Sequence, residues 1–281
     1  MANIFPEKWR ETCDPFSLDY KNFKPLEILG YPHAGNDVFR MSGLFEGREI
    51  TAFVKAARQK GADIENEVAV LANLDFPCVP KVIDFGFGEK SFSVTEELPG
   101  ERLSMIVGEN AGLASLSYME EYGETLAKLH SLEINADTVA ERRFFSVPSF
   151  ELLEKLGLSY LGDFFSDAPK NPAKCFCHGD FHYANILWKD HRISGILDFE
   201  LSGIGNRDFD IAWAIILRPG QKFLKTEEER RAFLSGYSKY GEYDPAAVRF
   251  YMAQIYPYFL EFSQNDEEYC DYVKGWLAGL K

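Results

Sequence analysis

The 281-residue chain is 46% hydrophobic and 15% aromatic, enough to bury a large core as one big domain or as two lobes. Its 44 acids against 30 bases give a formal charge of −14, which argues against nucleic acid or an anionic membrane as a partner and suits a cationic small molecule. No apolar run approaches the ~20 residues of a membrane span, there is no basic stretch and apolar core of a signal peptide, and five cysteines fit a reducing cytoplasm, where the protein is expected.

In chain order, residues 4–20 read as an irregular lead-in. Strands are predicted at Pro25–Gly30 and Val38–Met41, with a turn from Gly30 to Asp37 between them. Glycines at both ends of that turn, Gly30 and Gly35 with Asn36 beside it, could lay backbone N–H groups over phosphates, although a plain hairpin explains the pattern equally well. A third strand, Glu49–Ala56, carries Lys55, and a lysine there needs a partner if it is buried. The helix that follows, Ala62–Leu74, has Ile64, Val68 and Leu71 at helical spacing, which places Glu67 on their side; Glu65 is the competing partner. A hairpin of Lys81–Phe87 and Ser91–Glu96 leads to Glu96-Glu97-Leu98-Pro99-Gly100, where the pattern breaks and a boundary is placed between residues 97 and 98. The remainder is mostly helical: Tyr118–Leu132, Ser149–Leu158, Tyr160–Phe165, Phe209–Leu217, then 226–240, 244–263 and 266–279. The segment Gly203–Asp208 reads as a loop, and His130 as a packed structural residue. Asp210 is placed to cap its helix or to support the loop described next.

One stretch organises this second part. His178-Gly179-Asp180, with Asn185 five residues beyond Asp180, is followed thirteen residues later by Asp198-Phe199-Glu200. Phosphoryl transfer needs a carboxylate to meet the attacking hydroxyl, and an amide oxygen and a second carboxylate to hold the metal bridging the nucleotide phosphates. Protein kinases use H-R-D-x-x-x-x-N and D-F-G for these tasks. Here Gly179 replaces their Arg, and Glu200 replaces their Gly. Cys175 and Cys177 precede the motif as C-x-C; with no second pair nearby, alternate positions on a buried strand explain them better than zinc.

With these residues in hand, the chain resembles the aminoglycoside phosphotransferase and choline kinase-like family over nearly its whole length. H-G-D-F-H-Y-A-N-I-L looks like the family's catalytic loop, and I-L-D-F-E-L-S-G-I-G-N-R-D-F-D-I-A its metal-binding segment. T-E-E-L-P-G-E-R-L is similar to its interlobe linker. The resemblance implies an α+β, two-lobed, protein-kinase-like fold: an N-terminal lobe (1–97) with a five-stranded antiparallel sheet and one main helix, and a larger, mostly helical C-terminal lobe (98–281). It implies ATP, with GTP as the alternative, and Mg2+ acting on a small-molecule hydroxyl. By position, Asp180 is the catalytic base and Asn185 and Asp198 bind the metal. Lys55 binds phosphates and Glu67 orients it, Glu96 and Leu98 lie where adenine would bind, and Gly35 and Asn36 cover the phosphates. The segment Gly30–Asp37 departs from the protein-kinase pattern in being poor in glycine. The acids Glu200, Asp208, Glu261, Asp266, Glu267, Glu268 and Asp271 suggest a cationic, aminoglycoside-like acceptor; choline, sugars or amino acids are the metabolic alternatives, and a catalytically silent binding protein the non-enzymatic one. A monomer or weak dimer is expected.

Overall fold

The computed structural model describes residues 11–32, 35–58, 62–108, 114–170, 172–221 and 223–280. They divide into two compact units. The first comprises residues up to Gly100 together with Ser194–Ser202; the second comprises Glu101–Ile193 and the chain from Gly203 onward. The division falls at Gly100–Glu101, and the Asp198 segment belongs to the first unit rather than to the helical one.

The first unit is built on β1 (Phe23–Gly30), β2 (Asp37–Phe45), β3 (Arg48–Ala56), α1 (Ile64–Asn73), β4 (Val82–Gly86) and β5 (Phe92–Glu96). The strands form one antiparallel sheet in the order β1-β2-β3-β5-β4. Side chains alternate between the two faces of a strand. Phe39 and Met41 of β2, Ala52, Val54 and Ala56 of β3, and Phe92 and Val94 of β5 are therefore buried in one core cluster with Phe23. Burying each of the larger side chains stabilises the unit by roughly 1.5–3 kcal/mol. The same alternation turns Lys55 to the opposite face of β3. The helix α1 buries Ile64, Val68 and Leu71 together with Glu67, and Asp63 caps it by accepting a 3.0 Å bond from Asn66 N–H.

The second unit contains β6 (Glu101–Arg102), α2 (Leu103–Val107), α3 (Leu116–His130), α4 (Phe150–Lys155), α5 (Gly162–Ser166), β7 (Lys174–Cys177), β8 (Ile186–Lys189), β10 (Gly203–Asn206), α6 (Arg207–Ile215), α7 (Glu227–Tyr237), α8 (Pro245–Phe262) and α9 (Glu267–Ala278). The chain leaves this unit within β9 (Arg192–Ile196). Helices α3 and α7 cross closely because each offers a glycine at the contact. A Cβ on Gly123 would stand 1.9 Å from Phe233 O, and one on Gly236 2.0 Å from Glu120 O.

The segment Gly203–Asp208, expected as a loop, is instead β10 followed by the start of α6. β10 pairs antiparallel with β7, Gly203 opposite Cys177 and Asn206 opposite Lys174. Its glycines give it the look of a loop in sequence, yet they answer to crowding. A Cβ on Gly203 would lie 2.4 Å from Asp137 O, and one on Gly205 would press on Val139 and on Cys177 Sγ. The strand matters for the site because it backs β7, which delivers His178.

Candidate active site

In the first unit the functional side chains gather around Lys55. Its Nζ lies 2.6 Å from Asp198 Oδ1, 2.9 Å from Glu200 Oε2 and 3.3 Å from Glu67 Oε1. Glu65, the competing partner in sequence, is exposed. Glu67 does more than face the lysine. The same Oε1 accepts a 3.2 Å bond from Phe199 N–H, so one buried carboxylate fixes both Lys55 and the backbone just after Asp198. Asp198 itself takes a left-handed conformation, φ 68°. Burial would lower the lysine's proton affinity, but Glu67, Asp198 and Glu200 outweigh it and hold the ammonium above the ordinary lysine range. Burial in turn pushes the Glu67 carboxyl up, against the pull of Lys55.

Glu200 was expected among the acids of an acceptor wall. It is instead a tie within the first unit: besides Lys55, its carboxylate accepts from Asn36 Nδ2 at 2.7 Å and from Asp63 N–H at 3.0 Å. The Asn36 amide donates to Glu200 and accepts Arg58 N–H at 3.2 Å, so its side chain ties the entry to β2 to its neighbours in the first unit. Gly35 sits half-buried just before β2. His33 and Ala34 of the same turn lie outside the described residues. Glu96 ends β5, its side chain accepting from Lys81 N–H at 3.2 Å, and Leu98 is half-buried in the segment beyond.

In the second unit β7 carries the chain into the Asp180 loop. Gly179 turns it with φ 79°, and Asp210 of α6 holds it from beneath: its carboxylate accepts His178 N–H at 3.1 Å and Gly179 N–H at 3.0 Å. Arg142 Nη2 donates to Gly179 O at 2.6 Å, and the Phe181 ring stacks on Tyr122 at 5.0 Å. The Asp180 carboxylate is thereby presented with each oxygen assigned. Oδ1 accepts the Trp213 indole N–H at 2.7 Å. Oδ2 accepts Asn185 Nδ2 at 3.2 Å and lies 3.4 Å from His182 Nε2. His182 Nδ1 accepts Ala184 N–H, which leaves the ring proton on Nε2, facing Asp180. Burial opposes ionisation of Asp180, but the bond from His182, the charge of Arg218 and the Trp213 bond prevail and hold the group at about 2.

Asn185 also donates to Asp180 O at 3.0 Å. With Nδ2 so committed, Oδ1 is the atom left for a cation. The Lys55 cluster suits a cation as well: three carboxylates share one ammonium, and Asp198 is the most exposed of them, with 43% of its side chain accessible. Hard oxygen donors with excess negative charge are what Mg2+ selects. Asp198 and Asn185 each present an oxygen donor of that kind.

Trp213, whose indole N–H bonds Asp180, is a residue that sequence reading passed over as one more apolar position of a buried helix. The acids taken to favour a cationic acceptor are mostly engaged. Besides Glu200, Asp208 is buried against Arg207, Glu261 pairs with Arg143 and Lys155, Glu268 pairs with Lys225, and Asp266 caps α9; Glu267 and Asp271 are exposed in the first turns of α9.

Three solved structures show how far the architecture is shared. An aminoglycoside phosphotransferase APH(4)-Ia in ternary complex with AMP-PNP and hygromycin B is 14% identical, with TM-score 0.59, 93% of this chain and 94% of that one covered. The choline kinase of Cryptosporidium parvum is 15% identical, TM-score 0.57, covering 93% and 88%. The macrolide 2'-phosphotransferase MphH of Brachybacterium faecium is 17% identical, TM-score 0.52, covering 93% and 94%. At these identities the likeness shows a common kinase-like fold. No curated protein matches by sequence. The model of the phosphotransferase enzyme family matches residues 46–251, which takes in Lys55, Glu67, Asp180, Asn185, Asp198 and Asp210. The chain belongs to the phosphotransferase enzyme family.

Proposed function

We propose that the protein transfers the γ-phosphoryl group of ATP to a hydroxyl of a small molecule. The observation that carries this reading is the convergence on Lys55 of Glu67, Asp198 and Glu200, which lie 12, 143 and 145 positions further along the chain. A lysine so held is oriented for phosphate oxygens. In the second unit the hydrogen-bonded Asp180 supports the complementary role. The acceptor's O–H donates to its carboxylate, the oxygen takes the γ-phosphoryl group as the bond to the β-phosphate oxygen breaks, and the proton passes to Asp180. A carboxylate held at about 2 is a weak base, which suits a loose transition state in which orientation matters more than early proton removal. Mg2+, when bound, neutralises charge developing on the phosphates; the sequence pattern and the donor chemistry of Asp198 and Asn185 support them as its ligands.

For the acceptor, solved neighbours include a choline kinase, an aminoglycoside phosphotransferase in complex with hygromycin B and a macrolide 2'-phosphotransferase, so a small-molecule alcohol is the class supported. A polycationic acceptor has less support than composition suggested, because most of the acids invoked for it are paired. A neutral or anionic alcohol is the second reading. It is favoured by Arg142 and Arg218, whose guanidinium groups each lie 5.0 Å from the Trp213 ring that bonds Asp180. Incubating the protein with Mg–ATP and matched cationic, neutral and anionic alcohols, and following phosphorus NMR for new phosphate monoesters, tests both. Ester formation that Asp180→Asn abolishes is the expected result; ATP turnover unchanged by that substitution would refute the role of Asp180.

A further inference from the structure

We propose that His130, Cys175 and Cys177 form a binding site for one thiophilic d10 cation, Zn2+ being the commonest in cells, beneath the catalytic loop and separate from the magnesium of phosphoryl transfer. Read alone, C-x-C lacked the ligands for zinc. The fold supplies a third from α3, 45 residues upstream of Cys175 in sequence. One ligand atom from each residue lies within 4.8 Å of the others, and among the described residues no other three His, Cys, Asp or Glu side chains converge in this way.

The distances suit a tetrahedral ion. Two thiolates at ~2.3 Å from such an ion stand ~3.8 Å apart, and a thiolate and an imidazole nitrogen ~3.6 Å apart. Cys175 Sγ and Cys177 Sγ are 3.8 Å apart already. Adjacent positions of one face of a strand would ordinarily splay their side chains further; here the pairing of β7 with β10, where Gly205 leaves room at Cys177 Sγ, lets the two sulfurs turn together.

The His130 Nδ1 is 2.7 Å from Tyr237 Oη and its Nε2 3.1 Å from Asp210 Oδ2; the nitrogen that takes the ion exchanges its present contact for it, and the other keeps a hydrogen-bond partner that fixes the ring. A cavity of 180 Å³, large enough to hold water, adjoins the cluster at Cys177 and is lined also by Gly179, Gly205 and Asp210. Two sulfurs and a nitrogen select against Mg2+, which takes oxygen donors, and favour Zn2+, Cd2+ or Cu+. Binding must release the thiol protons.

The test uses the intact protein, stripped of metal by a chelator under reducing conditions and then titrated with Co2+ and Zn2+. The expected result is one equivalent of Co2+ with thiolate-to-cobalt charge-transfer absorption, displaced by Zn2+, and a rise in melting temperature on Zn2+ loading. Cys175→Ser, at a half-buried position, should keep the fold by circular dichroism and weaken binding at least 100-fold, with the sulfur absorption reduced; Cys270→Ser should bind as the parent does. Mg–ATP affinity should be the same in the metal-free parent and Cys175→Ser. A folded parent that takes up no Co2+ with sulfur absorption, or a Cys175→Ser variant that binds as tightly as the parent, overturns the assignment.

Discussion

Removing the charge of Lys55 should unfold the first unit more readily as well as stop turnover. In Lys55→Met the volume is retained, but Glu67, 5% exposed, loses the Lys55 ammonium and keeps the Phe199 N–H and a long 3.4 Å contact from Ser93 Oγ. Removing one partner of a buried ion pair costs about 3–5 kcal/mol, because the other charge stays buried. Asp198 and Glu200 are better hydrated or otherwise bonded and add less. At about 2–4 °C per kcal/mol for a protein of this size, the midpoint should fall by about 6–20 °C. The deficit has a pH signature. The Glu67 carboxyl already titrates above its usual 4.5 in the folded protein and rises further without Lys55. A folded pKa above the unfolded one favours folding below the unfolded value and loses that advantage as pH rises through the folded value. The variant should therefore be nearest the parent in mild acid and furthest from it at neutral pH. Adding Glu67→Gln removes the stranded charge, so the double variant should recover part of the loss. Thermal melts of the four proteins across that range measure all of this. A Lys55→Met midpoint within about 2 °C of the parent at neutral pH, or a double variant as unstable as the two single losses combined, would refute the argument.

Asp180→Asn should lower turnover by ~10²–10⁴ while leaving Mg–ATP binding by calorimetry nearly unchanged. Asp180 is held at about 2 against an ordinary 3.8; a depressed folded pKa gives stability present above the unfolded value and lost as pH falls through the folded one, so acid unfolding of the Asn variant should lack that component. Asp198→Ala should remove Mg2+-dependent nucleotide binding, read as the loss of the difference between titrations with and without the metal. Gly123→Ala should destabilise the second unit by about 1–3 kcal/mol or more, measured by denaturant unfolding, because its Cβ would overlap Phe233 O unless α3 and α7 move apart.

Periodicity made most elements legible. The strands of the first unit and the long helices α3, α7, α8 and α9 announce themselves by apolar spacing, and the chemistry of Asp180, Asn185 and Asp198 by spacing of another kind. What sequence could not supply was the partner each polar side chain finds. Glu200 reads as a stray acid where kinases have glycine, and only the fold brings it to Lys55, Asn36 and Asp63. Trp213 has the composition of core, and its N–H acquires meaning only because α6 aims it at Asp180. The choice of Glu67 over Glu65 lay one step closer to the surface of the sequence, since the helical stripe that buries Ile64, Val68 and Leu71 also turns residue 67 inward.

The same contrast explains why the catalytic loop is supported by residues so far from it in the chain. A loop that presents Asp180 must leave backbone N–H groups at His178 and Gly179 without a strand partner, and such groups cannot stay buried and unmet. A charged acceptor satisfies two at once, and Asp210 does so from a helix that also gives Trp213, one turn further along. One element thus fixes the loop's backbone and its reactive side chain together. That helix begins where β10 ends, and β10 is paired to β7, the strand that enters the loop. The glycines that made 203–206 look like a loop are therefore what allow the support to stand directly behind the residue it supports.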